Sequence, residues 1–178
     1  MIEFPYTILI DSAEQHPFTF ENMLADSDKD YAPINVKVNW RSLGRHPNQL
    51  GDYSIDGFVG RVHIERKSVE DCQHTILGWD GTRNRFEQEL ANLSDIESGI
   101  VVVEGSLQEV VTTVRQWGEK TAQENAKTLF RSIIAYQQDY KVRWQFCDSR
   151  RLAENFAFRF LHRYWKKRRK EHKQLMEI

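Results

Sequence analysis

Cysteine is nearly absent from this chain of 178 residues: Cys72 and Cys147 are the only two. They do not stand at a metal-binding spacing, and two thiols cannot staple a small secreted scaffold. Nothing near the N-terminus reads as a secretory leader. Glu3 and Asp11 bracket a short apolar run near the N-terminus that is far too short to span a membrane. Reduced thiols, an intracellular setting and no membrane partner are the expectation. The chain also lacks an excess of charge: 25 Lys and Arg stand against 26 Asp and Glu, so the total does not announce a nucleic-acid binder. Repeats, low-complexity tracts and obvious linkers are missing too. Residues 1–178 are therefore expected to form one domain, long enough to bury a full core.

What is present is an uneven distribution of that charge. Residues 26–30 are acidic. The end of the chain, about 159–173, carries Arg159, Arg163, Lys166, Lys167, Arg168, Arg169, Lys170 and Lys173. A near-neutral total can hide a basic face opposite an acidic one.

The hydrophobic pattern gives the elements. Residues 6–10 form a β-favouring apolar run ending at Asp11, a buried strand. Residues 12–33 are polar, hold Pro17 and Pro33, and read as a loop with room for one helical turn. Residues 35–40 alternate, with Val36, Val38 and Trp40 on the expected inner face of a half-buried strand. Residues 53–55 and 59–67 flank Asp56 and Gly57, a hairpin signal, so these strands read as a meander. Ser68 is a candidate N-cap for a helix over 69–77, with Asp71 three positions on. Gly78 to Gly81 break it. Helices are expected over 82–93, 107–114 and 122–136, and strands over 99–103 (central) and 142–146. A long amphipathic helix over 150–170 would turn Leu152, Phe156, Phe160 and Leu161 inward. This order predicts an α/β fold, a mixed central sheet flanked by helices.

Asp52, Glu65, Lys67 and Asp71 are the informative residues. On a strand, Glu65 and Lys67 share a face with His63, while Val62 and Ile64 point into the core. A connection spanning 56–60 puts Asp52 opposite residue 64 and next to Glu65; a two-residue turn would pair it with Arg61 and separate the carboxylates. The two glycines Gly57 and Gly60 favour the longer loop. Asp71, one turn beyond the strand, can reach back to the same cluster. Magnesium favours one or two carboxylates completed by water and phosphate. Such a metal makes a nucleophile of bound water and offsets charge on phosphorus. A lysine two residues from a ligating glutamate can orient that water or help deprotonate it. By spacing alone, a solvent-facing ion-pair ladder is the competing explanation.

Gly51-Asp52 followed by Glu65-Arg66-Lys67-Ser68-Val69-Glu70-Asp71 resembles the GD…ERKxxxD signature of the XPF-type structure-specific endonucleases, within the PD-(D/E)xK restriction-endonuclease-like superfamily. Residues 8–14, with Asp11 and Glu14, resemble the family's opening strand and its DxRE motif. Arg85 and Phe86 resemble an arginine–phenylalanine pair, and residues 101–105 a core strand, so the likeness covers residues 6–162. The resemblance implies a restriction-endonuclease-like sheet and Mg2+-dependent cleavage of DNA, with Mn2+ a substitute, at forks, flaps or other branches, leaving a 5′-phosphate. It implies that Asp52, Glu65 and Asp71 are metal ligands or their close supports, with Asp11 at the edge of the site. Lys67 becomes the water-positioning base, and Arg66 organises the site or holds a phosphate, although alternation points it away from Lys67. Ala13 stands where the family has arginine. The chain ends without the helix-hairpin-helix domain of many relatives. That suggests a viral or prokaryotic enzyme, cytoplasmic in a prokaryote or a virus-infected cell, or a subunit acting with a partner DNA-binding protein or as a homodimer. A catalytically weak or inactive DNA-binding subunit is the alternative.

Other residues carry milder expectations. His63 is expected at the surface, and Asp56 as a turn residue. Glu14 either supports the metal site or lies on a loop surface. Arg83 and Arg85 are candidate DNA contacts, Arg85 the better one. Lys166, Lys167, Arg168 and Arg169 would touch the DNA backbone, which makes binding salt-dependent. Trp79 is expected to pack rather than stack on a base. The set Phe156, Phe158, Phe160, Tyr164 and Trp165 is expected in the core or on a dimer face.

Overall fold

The computed structural model describes residues 2–25, 32–45, 47–116 and 119–176. The acidic run at 26–30 lies outside them. Six strands form one sheet: β1 (Ile2–Asp11), β2 (Ile34–Arg41), β3 (Tyr53–Ile55), β4 (Val62–Lys67), β5 (Ser98–Val103) and β6 (Arg143–Phe146). Their spatial order is β2-β1-β3-β4-β5-β6. Strands β1 and β2 run parallel, β3 is antiparallel to β1 and β4, and β4, β5 and β6 run parallel. The expected mixed sheet is present. The meander is restricted to one hairpin, because β2 lies on the far side of β1 and forms an edge.

Among the described residues, five α-helices flank the sheet: α1 (Val69–Leu77), α2 (Thr82–Asp95), α3 (Leu107–Thr112), α4 (Ala122–Asp139) and α5 (Arg150–Met176). Alternation along β5 separates two cores. Ile100 and Val102 face the core closed by α5, with Ile10, Tyr53, Ile64, Phe158 and Leu161. Val101 and Val103 face the core closed by the other helices, with Phe86, Leu90, Leu129 and Ile133. Burial on both faces is what a parallel central strand needs, and it explains the unbroken apolar run of residues 100–103.

Two elements depart from expectation. Val36 is half-buried, but Val38 and Trp40 are exposed, because β2 is an edge strand that α5 does not cover. On α5 the inward residues are Ala153, Ala157, Phe158, Leu161 and Tyr164, while Leu152 is 55% exposed and Phe156 and Phe160 are half-buried. Small alanines let the helix lie close to the sheet, so the stripe is rotated from the one its largest residues suggested. The loop after β1 has no helix among its described residues, yet Phe18, Phe20 and Met23 plug the α5 core. Arg150, Arg151 and Arg159 of α5 hold that loop by donating to the carbonyls of His16, Pro17, Glu21, Asn22 and Leu24. Both cysteines are free and buried. Among the described residues no helix is long and apolar enough to cross a membrane.

Candidate active site

The hairpin fixes the site. The connection between β3 and β4 covers residues 56–61, the longer of the two alternatives, and Tyr53 pairs with Ile64. Asp52 therefore stands across from Glu65 itself, one residue further along than the expected partner. Two bonds pin it there: the Asp52 N–H donates to the Ile64 carbonyl at 2.8 Å, and the Arg66 N–H donates to Asp52 Oδ2 at 2.7 Å. Gly51 makes this approach feasible. Its φ is +118°, and a Cβ there would lie 2.8 Å from the Ile64 carbonyl oxygen. The glycine before the aspartate is thus a steric requirement of the register.

Glu65 and Lys67 share the face turned toward α1 and α2. Lys67 Nζ lies 2.8 Å from Glu65 Oε1 and 4.8 Å from the centre of the Phe86 ring. Burial disfavours the Lys67 charge, but Glu65, Glu89 and Asp52 outweigh it and hold its pKa above that of a free lysine. Lys67 is accordingly an ammonium, a donor of hydrogen bonds. Glu65 is only 3% exposed, and its second oxygen, Oε2, is buried with no hydrogen-bond partner. Burial, then the charges of Glu65 and Glu14, raise the Asp52 carboxyl well above the usual range. Anionic groups crowded in this way, with one oxygen left unsatisfied, suit a cation. Among the described residues no three His, Cys, Asp or Glu side chains form a complete metal cage. Asp52 and Glu65 would therefore supply two ligands, the number magnesium commonly takes from protein, with water and phosphate as the remainder.

These residues line a cleft of about 350 Å³ bounded by Ala13, Glu14, Gln49, Thr75, Arg85 and Glu89. Arg85 reaches it from α2, donating to Gln49 Oε1 at 2.6 Å. Asp71 is at the rim, exposed, where its Oδ2 accepts from the Ser68 hydroxyl in the N-cap of α1. Arg66 points to the opposite face, as alternation requires. Its guanidinium grips both oxygens of Glu14 and one of Glu104, with side chains 6% exposed for Arg66 and Glu14. Glu14 is thus a buried partner of Arg66, not a loop-surface carboxylate. Asp11 does not line the cleft: its two oxygens accept the N–H groups of Ala13 and Leu43, each at 2.7 Å.

Other expected residues lie elsewhere. Arg83 pairs with Glu87 at 2.9 Å and stacks on Tyr136, at the seam of α2 and α4. Lys166, Lys167, Arg168 and Arg169 occupy the far end of α5; Arg168 pairs with Glu97 and Glu171, and Arg169 lies over Trp165. His63 is fully buried, contrary to the surface expectation, because the helices that close the second core cover its side of β4. Its Nε2 accepts from the Gly60 N–H. Trp79 is half-buried against His74.

The sequence reading missed Glu89. It is 5% exposed on α2, its Oε1 is 3.5 Å from Arg85 Nε, and burial and the charge of Glu65 push its carboxyl up to about 7. The available signal was a carboxylate at core spacing, three residues after Phe86 and just before Leu90.

The profile of the ERCC4 domain matches residues 35–160. No curated protein sequence matches the chain. Among solved structures, the fold is similar to that of XPF from Aeropyrum pernix in complex with DNA, at 17% identity and a TM-score of 0.58, over 91% of this chain and 66% of that one. It is also similar to XPF from Aeropyrum pernix solved separately, at 18% identity and a TM-score of 0.53, over 95% of this chain and 69% of that one. The chain thus spans about two thirds of the length of these structures.

Proposed function

Because the chain belongs to the ERCC4 domain family and has the nuclease-like fold of XPF, we propose that it is a Mg2+-dependent DNA endonuclease, with Mn2+ as a substitute, acting on branched, fork or flap DNA. The observation that carries this reading is the side-by-side placement of Asp52 and Glu65 in the cleft. The ammonium of Lys67 rests on one Glu65 oxygen, and the other oxygen is buried without a partner. Asp52 and Glu65 would hold the metal, which when bound supplies an activated water and offsets charge on the phosphate. Lys67 donates to that water or to a phosphate oxygen. Arg85 receives a neighbouring phosphate. Asp71 at the rim supports water around the site. The Glu14–Arg66–Glu104 cluster keeps the Arg66 N–H, and through it the Asp52 carboxylate, in register. In the overall hydrolysis the water oxygen would join phosphorus as the bond to the 3′ oxygen breaks, the water's proton passing to solvent and the leaving 3′ oxygen taking one from solvent, which leaves a 3′-hydroxyl and a 5′-phosphate. The solved complex of XPF with DNA supports nucleic acid as the partner.

Labelled single-stranded, duplex, fork, flap and four-way-junction DNA would be incubated with and without magnesium, comparing the parent with Lys67→Ala and Glu65→Gln. Expected is metal-dependent cutting, fastest on a branched substrate and reduced at least about 100-fold by Lys67→Ala, with DNA affinity nearly unchanged. Glu65→Gln should weaken metal binding as well as rate. Binding without cutting on every substrate, in magnesium or manganese, would replace this reading with an inactive DNA-binding subunit.

A further inference from the structure

Glu89 is a carboxylate where the helix pattern calls for an apolar side chain. It is buried among Phe86, Leu90 and Leu93, on the side of α2 that closes the second core. A buried carboxylate with no task is costly, and glutamine or leucine would fill the same space. Its neighbours explain its presence. Arg85, one turn earlier on the same helix, lies 3.5 Å from its Oε1. Lys67 arrives from β4, pairs with Glu65 and settles on the ring of Phe86, three residues before Glu89, and Glu89 lines the same cleft without touching the ammonium. Lys67 and Arg85 therefore reach the cleft from different elements, each with its own carboxylate, Glu65 and Glu89. Glu65, the partner of Lys67, has a second duty in the proposed metal centre, so a further negative charge in the cleft would help to hold the lysine.

We propose that Glu89 is a positioning residue, the buried carboxylate that pairs with the Arg85 guanidinium and whose charge steadies the Lys67 ammonium in the same cleft, facing the phosphate to be cut. The inference rests on the nuclease reading above. Glu89 touches neither water nor phosphate in this role; it acts by fixing the two groups that do. Gln49, which accepts from Arg85 at 2.6 Å, braces the guanidinium from its other side.

The test uses Glu89→Gln, which keeps shape and removes charge, and Glu89→Asp, which keeps charge and shortens reach. In single-turnover cleavage at saturating DNA, Glu89→Gln should lower the rate by about 10- to 100-fold, as misplaced catalytic groups do. The Kd for DNA in calcium should stay level or tighten, since the cleft loses a negative charge. Glu89→Asp should recover part of the rate. A second readout needs no activity: the Lys67 ammonium signal in 15N NMR, assigned by its loss in Lys67→Ala, should be sharp in the parent and broadened by exchange in Glu89→Gln. An unchanged rate with an unchanged signal overturns the proposal. So does a rate loss matched by an equal fall in thermal stability with the signal intact, which is a packing role. If the parent cuts no DNA, the nuclease reading fails, and the NMR signal alone decides whether Glu89 ties down Lys67.

Discussion

His63 is completely enclosed one residue from the centre of the hairpin, and burial draws its pKa from 6.5 down to about 4, the nearby Gly51 carbonyl offsetting only part. Below pH 6.5 the unfolded chain takes up a proton that the folded chain refuses. The stability His63 confers is therefore complete above about 6.5 and drains away as pH falls toward 4, at up to about 1.4 kcal/mol per pH unit. Urea unfolding of the parent and His63→Gln between pH 7 and 4 should show a steeper decline in the parent; parallel curves would remove His63 as the cause. Arg66 is a second residue whose charge serves the fold. With Glu14 and Glu104 on its guanidinium, Arg66→Ala strands the buried Glu14, while Glu104 keeps Arg150, and should cost about 3 kcal/mol. The check is a chemical-denaturation midpoint, and a loss under about 1 kcal/mol would mean that water replaces the arginine readily.

At the scale of elements, the β3–β4 hairpin decides whether Asp52 and Glu65 meet. Gly51→Ala forces a side chain into a left-handed backbone and against the Ile64 carbonyl, so the register must give. The expected cost is about 2–3 kcal/mol of stability, together with loss of cleavage in whatever fraction remains folded. A variant that folds and cuts like the parent would show that the carboxylates tolerate a shifted strand. The same hairpin shows what the sequence disclosed. Its two glycines favoured the long loop, and alternation correctly separated Glu65 and Lys67 from Arg66. The bounds of α1 were legible from Ser68 and Gly78, residues whose local chemistry stops and starts helices. The exposure of Trp40 was not legible, because strand periodicity reports which residues share a face and not what covers it. Glu89 and His63 escaped for a related reason: a polar residue inside a core is defined by partners distant in sequence. Asp11, ending an apolar strand, looks the same whether its oxygens face a metal or cap two backbone N–H groups.

Over the whole molecule, α5 joins two ends of the sheet. Arg150 at its start binds Glu104 beside the cleft, whereas Arg168 pairs with Glu97, at the opposite end of β5. Eighteen residues of helix separate them by about 27 Å, or about eight base-pair steps of duplex. On the proposed nuclease reading, the basic end thus lies too far away to act at the phosphate being cut and would meet only DNA that extends past the cleft. Replacing Lys166, Lys167 and Arg169 by alanine should leave cleavage of a short substrate unchanged. For a long substrate it should weaken affinity and reduce the slope of log K against log salt by about 2–3. Equal effects on short and long DNA would place these cations nearer the chemistry than the fold does. Strand β4 has a further consequence. Val62 and Ile64 enter the α5 core, His63 and Glu65 are buried on the strand's other face, and its backbone is paired with β3 and β5, so its amide hydrogens should exchange with solvent only when the entire chain opens. The strand that carries Glu65 and Lys67 then has the lifetime of the fold itself: warming would deplete molecules with an assembled cleft in step with folded ones, without a long-lived population that is folded but misassembled at its centre.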